Sequence, residues 1–181
     1  MFRPALIFAL AIVCEVAMAA EPGQTPPSSS PSSPSVTDAS DRITAAIIVR
    51  ELKALGYSSS VDTDDSGDPR VNMSIDGHDW SIYFYDCASG PRDDRKCVSY
   101  QFYSGYTLQQ AASQDAINKW NTEQRYAKAY TYVQRNGSHS ARIEVDVRSA
   151  GTGADPAQTF RVYFDIMKDK ARQFRNTVGV R

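Results

Sequence analysis

Residues 80–106 read WSIYFYDCASGPRDDRKCVSYQFYSGY, two aromatic-rich runs on either side of a polar loop with a cysteine at each end of that loop. In the first run Trp80, Ile82 and Phe84 alternate with Ser81, Tyr83 and Tyr85; in the second Val98, Tyr100 and Phe102 alternate with Cys97, Ser99 and Gln101. Alternation with period two marks strands that bury one face. Pairing Cys87 with Cys97 sets a register in which Tyr85 opposes Ser99, Phe84 opposes Tyr100 and Ile82 opposes Phe102. Trp80, Ile82, Phe84, Tyr100 and Phe102 then form a core face. Tyr83, Tyr85, the cysteine pair, Gln101 and Tyr103 form the opposite, mixed face.

Upstream, Arg70–Ile75 alternates Val71, Met73 and Ile75 with Asn72 and Ser74, and Asp76-Gly77 is a two-residue hairpin signal. With that turn Met73 opposes Trp80 and Val71 opposes Ile82. Turn length and cysteine spacing thus agree on one core face. Before this strand lies the acidic stretch VDTDDSGDP, residues 61–69. Its start imitates a calcium loop, with Asp62, Asp64 and Ser66 at alternate positions and then Gly67. The twelfth position is Met73, where a bidentate Glu is needed, and Pro69 interrupts the loop. Asp, Ser, Gly and Pro make an ordinary acidic turn without a metal.

Helices flank these strands. Asp38–Leu55 carries Ile43, Ile47, Ile48, Leu52 and Leu55 at helical spacing, with Ser40 or Asp41 as cap and Gly56-Tyr57 in a Schellman ending. Ser113 begins a second helix carrying Ile117 and Trp120. A hairpin follows, Ala127–Val133 and Ala141–Arg148 around Asn136-Gly137, whose two-residue turn places Tyr130 and Tyr132 on the inward face with Ala141, Ile143, Val145 and Val147. Asp155-Pro156 opens the last helix, with Phe160, Phe164, Met167, Ala171 and Phe174 on one side. Lys168, Lys170, Arg172 and Arg175 form a solvated basic face at its end. The predicted order is α-β-β-β-α-β-β-α, an α+β fold with a five-stranded antiparallel sheet and helices on one face.

The chain has 181 residues, 41% hydrophobic and 23% charged, with formal net charge −1. That balance gives no electrostatic reason to expect nucleic acid as partner. Residues 1–20 read as a cleavable signal peptide, with Arg3, an apolar run from Ala5 to Val13 too short to span a bilayer, and Ala17-Met18-Ala19 as the cleavage pattern. Export, periplasmic or secreted, is expected, without stable membrane insertion after cleavage. Residues 21–36, EPGQTPPSSSPSSPSV, read as a disordered Pro/Ser-rich linker, and 37–181 as one domain. An oxidising compartment favours a Cys87–Cys97 disulfide over a metal site, since His78 and His139 lack ligand spacing.

No G-x-S-x-G, H-E-x-x-H or P-loop occurs. The carboxylates of the acidic turn sit where solvent keeps them ionised, a poor setting for general acid–base work. No catalytic residue, cofactor or metal is expected. The leading expectation is a non-enzymatic module binding a protein or peptide, with Tyr83, Tyr85 and Tyr103, and Tyr106 nearby, as contact surface. A calcium-binding protein using residues 62–68, or a hydrolase with an unrecognised site, are the alternatives.

Several stretches together resemble the YbjN-domain family, bacterial proteins described as sensory transduction regulators. They are Leu55-Gly56-Tyr57, the turn Asp64-Asp65-Ser66-Gly67-Asp68-Pro69, and Phe84-Tyr85-Asp86-Cys87 with Cys97-Val98-Ser99-Tyr100-Gln101-Phe102. Ile117-Asn118-Lys119-Trp120-Asn121 followed by Arg125-Tyr126-Ala127-Lys128-Ala129-Tyr130 is similar to the family's N-x-W-N…R-F-x-x-A-Y pattern, with Tyr126 where Phe is usual. Arg70 stands where an apolar residue is expected after the turn. The resemblance implies a fold like the type III secretion chaperones, a regulatory or chaperone-like role and no established catalysis. On the residues themselves, the asparagines around Trp120 are expected to satisfy backbone groups where the helix meets the next strand.

Overall fold

The computed structural model describes residues 39–180, so the signal-peptide and linker assignments, 1–20 and 21–36, lie outside the described residues. Six strands form one antiparallel sheet in the order β1-β2-β3-β4-β6-β5. They are β1 (Ser59–Thr63), β2 (Pro69–Ile75), β3 (His78–Cys87), β4 (Cys97–Leu108), β5 (Lys128–Val133) and β6 (His139–Arg148). The helices are α1 (Ala45–Ala54), α2 (Gln114–Glu123) and α3 (Pro156–Val178). The predicted registers hold: Met73 opposes Trp80 and Val71 opposes Ile82, while Ile82 opposes Phe102, Phe84 opposes Tyr100 and Cys87 opposes Cys97. Asp76 (φ 52°) and Gly77 (φ 77°) both adopt the left-handed conformation that a type I′ turn requires.

The class is α+β as expected, with one strand more than the five predicted. The extra strand is β1, which pairs Val61 with Val71 and Asp62 with Arg70. As an edge strand with Val61 as its one apolar residue, it has no alternation to reveal it.

Trp80, Ile82, Phe84, Tyr100 and Phe102 are all buried, as is the apolar side of α3. Phe160 and Phe164 pack on Phe102, with ring centroids 5.7 and 6.2 Å away. Asp155 caps α3 by accepting from the Gln158 N–H at 2.7 Å, and Pro156 opens it, as the sequence predicts. The basic residues near its end are paired: Lys168 with Asp165, Arg172 with Asp169 and Arg175 with Asp76, while Lys170 donates to Gln124.

α1 begins later than expected. Thr44 is its cap, with Oγ1 accepting from the Ile47 N–H at 3.2 Å, because the preceding residues are committed elsewhere. Ile43 is extended and bridges to Cys97. Asp41 is buried, and its Oδ2 accepts from the N–H groups of Gly151, Thr152 and Gly153 at 2.7, 3.1 and 3.3 Å. The Schellman ending forms as expected, with Gly56 N–H donating to Lys53 and Tyr57 N–H to Leu52.

One buried acid ties α1 to α3. Glu51 accepts from Arg161 Nε at 2.6 Å and pairs with Arg50 at 3.0 Å. Burial pushes the Glu51 carboxyl up, but the hydrogen bonds and charges of Arg161 and Arg50 outweigh it and hold it below the usual range. Burial likewise raises the Asp41 carboxyl, and the three backbone donors bring it below its ordinary value. Carboxylates with depressed pKa values contribute stability that is fully present above the ordinary carboxylate range. That contribution is lost as pH falls through the lowered folded-state values. Melting temperature is therefore expected to fall as pH drops below about 4. Arg161→Ala should lower stability at neutral pH by on the order of 2 kcal/mol, because it leaves a buried carboxylate one strong partner short. Urea denaturation at pH 7 measures this; an unchanged midpoint would show that Glu51 is solvated.

Candidate functional site

Period-two alternation in a sheet covered by helices on one side leaves the other residue set facing outward. Tyr83, Tyr85 and Tyr103 lie on that outer face, as expected. Tyr85 is 41% exposed, and Tyr83 and Tyr103 are partly so. The Tyr85 hydroxyl donates to Gln101 Oε1 at 3.3 Å, and the Tyr83 and Tyr103 rings meet edge to face at 5.9 Å.

Three expectations about this face change. Tyr106 is not on it: only 4% exposed, it packs against Phe174 at 6.2 Å and His78 at 5.3 Å. β4 runs unbroken to Leu108, so a residue three positions after Tyr103 must point to the opposite side. The cysteine pair also leaves the outer face. The disulfide forms, with Cα atoms 4.0 Å apart, but Cys97 is fully buried and Cys87 packs against the same core cluster. Asp86, at φ 54°, interrupts the alternation just before Cys87.

The third change enlarges the face. Tyr130 and Tyr132 point outward, 39% and 41% exposed, opposite Arg142 and Ser140. A two-residue turn at Asn136-Gly137 would oppose them to Ile143 and Ala141. Instead Gly137 (φ 83°) donates its N–H to Gln134, and the Gln134 N–H donates to Ser138, so five residues separate the strands. The register slips by one, and a slip of one exchanges the faces. The Arg142 guanidinium stacks over both rings, 5.1 and 5.7 Å from their centroids. Burial and a hydrogen bond to Tyr132 push the Tyr103 hydroxyl up to about 12.

The tyrosines follow a diagonal, from Tyr85 and Tyr83 on β3 through Tyr103 on β4 to Tyr130 and Tyr132 on β5. Tyr103 lies along its own strand: a Cβ added at Gly105 would meet the Tyr103 hydroxyl at 2.9 Å. The glycine is what lets that ring lie down on the sheet. Charged side chains beside the diagonal bind one another. Arg70 holds Asp62 at 2.9 and 2.6 Å, Lys128 holds Asp146 at 2.6 Å and Arg142 Nε lies 3.3 Å from Glu144.

The other singled-out residues lie elsewhere. Asp64, Gly67 and Asp68 form the β1–β2 turn, and Pro69 opens β2. Asp64 Oδ1 accepts from the N–H groups of Ser66 and Asp68 at 2.9 and 3.0 Å. Arg95 reaches over from the disulfide loop to the Gly67 carbonyl at 2.9 Å and to Asp68 at 3.6 Å. Two carboxylates of the calcium-like sequence, Asp62 and Asp64, are thus engaged by the protein's own donors. Among the described residues no group of three or more His, Cys, Asp or Glu is placed to hold a metal ion. Millimolar calcium is expected to leave the melting temperature unchanged; a clear rise, abolished by replacing Asp62 and Asp64, would contradict this.

Trp120 is buried against Phe174 with ring centroids 5.1 Å apart. Asn121 behaves as expected, its amide donating to the Ala129 carbonyl at 3.0 Å and accepting from the Ala129 N–H at 2.8 Å, which ties α2 to edge strand β5. Asn118 accepts from Gln114 on the helix surface, and Arg125 stacks over Tyr126 at 5.4 Å.

A family model, YbjN, described as "Putative bacterial sensory transduction regulator", matches residues 44–179. The crystal structure of YbjN from E. coli, described as "a putative transcription regulator", is similar at 13% sequence identity and a TM-score of 0.47. The match covers 72% of this chain and 85% of that one. No curated protein matches the chain.

Proposed function

The chain belongs to the YbjN family, and from that premise we propose that it is an exported, non-enzymatic module that binds a protein or peptide on the tyrosine face of its sheet, in a regulatory or chaperone-like role. The observation that carries this reading is the sheet face that no helix among the described residues covers, with Tyr83, Tyr85, Tyr103, Tyr130 and Tyr132 across it, three of them more than a third exposed. Clustered surface aromatics combine a large contact area with low ordering cost and are enriched at interfaces. Export is supported by the leader pattern of residues 1–20 and by the cysteine pair, which persists as a disulfide in an oxidising compartment. A non-enzymatic role is consistent with Cys87 and Cys97 being held in that disulfide, which leaves no thiol among the described residues to pair with a histidine.

The test is capture from the exported protein fraction by the mature chain and by its Tyr83→Ser/Tyr85→Ser variant. A partner retained by the first and lost by the folded second supports the reading. A partner retained equally by both removes the tyrosine face as the contact surface.

A further inference from the structure

The loop between β6 and α3 is built as a backbone receptor for an anion. Gly151 (φ 77°) and Gly153 (φ 67°) are left-handed, and Thr152 between them is not. Alternation of this kind turns successive N–H groups toward one point and makes a concavity for negative charge. All three N–H groups reach Asp41 Oδ2, at 2.7, 3.1 and 3.3 Å. The side chains around the loop do not contribute: the Thr152 hydroxyl donates to the Ser149 carbonyl at 2.7 Å, and Arg148 Nε to the Ala150 carbonyl at 3.0 Å. Burial pushes the Asp41 carboxyl up, and backbone N–H groups, with no cation among them, bring it below its usual range.

Asp41 meets this loop as a ligand meets a site. It comes from 110 to 112 positions away in sequence. It is only 6% exposed, yet its Oδ1 is buried without a hydrogen-bond partner. A carboxylate that merely filled the interior would be replaced at a gain by an apolar side chain, because half of it is unsatisfied. Gly151, Thr152 and Gly153 are themselves exposed, so the concavity belongs to a surface loop. The segment that carries Asp41 is one short turn, Ala39–Asp41, at the entry to α1. It is held besides by Ser149 Oγ, which donates to the Asp41 carbonyl, and by two backbone bonds between Ile43 and Cys97.

We propose that the 151–153 loop is a carboxylate-binding site whose resident ligand is the chain's own Asp41, and that a free carboxylate takes the place of that side chain when it is removed. The site stands apart from the tyrosine face and does not depend on it. Capture of a carboxylate by converging backbone N–H groups is an established mode of recognition. One oxygen receives all three donors here, so the ligand needs a single charged oxygen and a small stem. Acetate supplies both. Acetamide has the shape without the charge, and charge-assisted hydrogen bonds are about twice as strong as neutral ones. Residues 39–41 are thereby a strap: a second carboxylate enters the loop only as Asp41 leaves it. Being tethered, Asp41 has a high effective concentration at the site, and free carboxylates do not displace it from the native chain.

The test melts the full chain and its Asp41→Gly variant at pH 7 with added sodium acetate. The variant is expected to melt lower than the native chain. A site half-filled at about 30 mM and given about 0.3 M acetate raises the folding constant by about tenfold, a rise of about 3–5 °C in the variant. Sodium chloride at equal ionic strength and acetamide at equal concentration should each give less than about a third of that rise. The native chain, its site filled, should show no rise specific to acetate. A variant that responds alike to acetate and chloride, or a native chain that gains as much as the variant, overturns the proposal. Should Asp41→Gly fail to fold, Asp41→Asn decides, since it keeps the shape and loses the charge. Hydrogen exchange at the Gly151, Thr152 and Gly153 N–H groups should then quicken by about tenfold or more. Unchanged exchange would overturn the proposal, because those donors would not depend on a carboxylate.

Discussion

Ile82→Ala and Phe84→Ala are each expected to lower the unfolding free energy by about 2–5 kcal/mol, whereas Tyr83→Ser and Tyr85→Ser should cost about 1 kcal/mol or less. The four residues are neighbours on one strand, and the difference comes from the side they face. Ile82 and Phe84 are fully buried in a central strand, with partners Phe102 and Tyr100 across the ladder. Truncating either removes apolar area from the core and leaves a cavity that the close-packed phenylalanines of α3 cannot fill without moving. Tyr83 and Tyr85 lose contacts only with outer-face neighbours, and their truncation leaves no cavity. Urea denaturation of the four single variants measures the contrast. If the tyrosine variants unfold as readily as the core variants, the outer face is covered by further chain and the proposed contact surface is abandoned.

Opening the Cys87–Cys97 disulfide is the second change of large expected effect. The chain-entropy relation gives about 2.8 kcal/mol for a bridge between residues ten apart in sequence. The neighbouring ladder already orders this hairpin, so about 2 kcal/mol is the expected loss on reduction. Two features add to the consequence. Cys97 is buried and its backbone bridges to Ile43 at the entry to α1. The loop between the cysteines carries Arg95, which anchors the β1–β2 turn through Gly67 and Asp68. Reduced protein should show a lower urea midpoint, and natively exported protein should contain no titratable thiol. Two free thiols in such protein would contradict the assignment.

Those parts of the fold with two independent signals in the sequence were legible. The Asp76-Gly77 turn and the cysteine spacing each imply a register, and the two registers place the same residues inward. The last helix combines a cap, a proline and five buried positions at one spacing. Where a single signal stood alone, the reading changed. Asn136-Gly137 marks a hairpin but not its length. A type I turn with a left-handed glycine and a strict two-residue turn share that dipeptide, and the one-residue difference decides which way Tyr130 and Tyr132 face. β1 is an edge strand whose pairing rests on backbone bonds and on Asp62 with Arg70, so hydrophobic periodicity could not show it.

The start of α1 was displaced by a long-range contact. Asp41 has the composition of a helix cap, but the backbone donors of residues 151–153, more than a hundred positions away, claim its carboxylate. Tyr106, by contrast, could have been placed from the sequence: three residues from Tyr103 on a continuous strand is an odd step and must change sides. Of the candidate surface, then, three tyrosines were legible, one was misplaced by parity and two were hidden behind a turn type.

The central claim is that partners meet this protein on the tyrosine face and not on the helices. Hydroxyl-radical footprinting of the tyrosines, with and without a partner recovered by capture, tests it most directly. The account predicts protection at Tyr83, Tyr85, Tyr103, Tyr130 and Tyr132 and unchanged reactivity at Tyr57 and Tyr163, which pack beside Phe164 and Tyr126 on the helix side. Protection confined to Tyr57 and Tyr163, with the five sheet tyrosines as reactive as in the free protein, would contradict it.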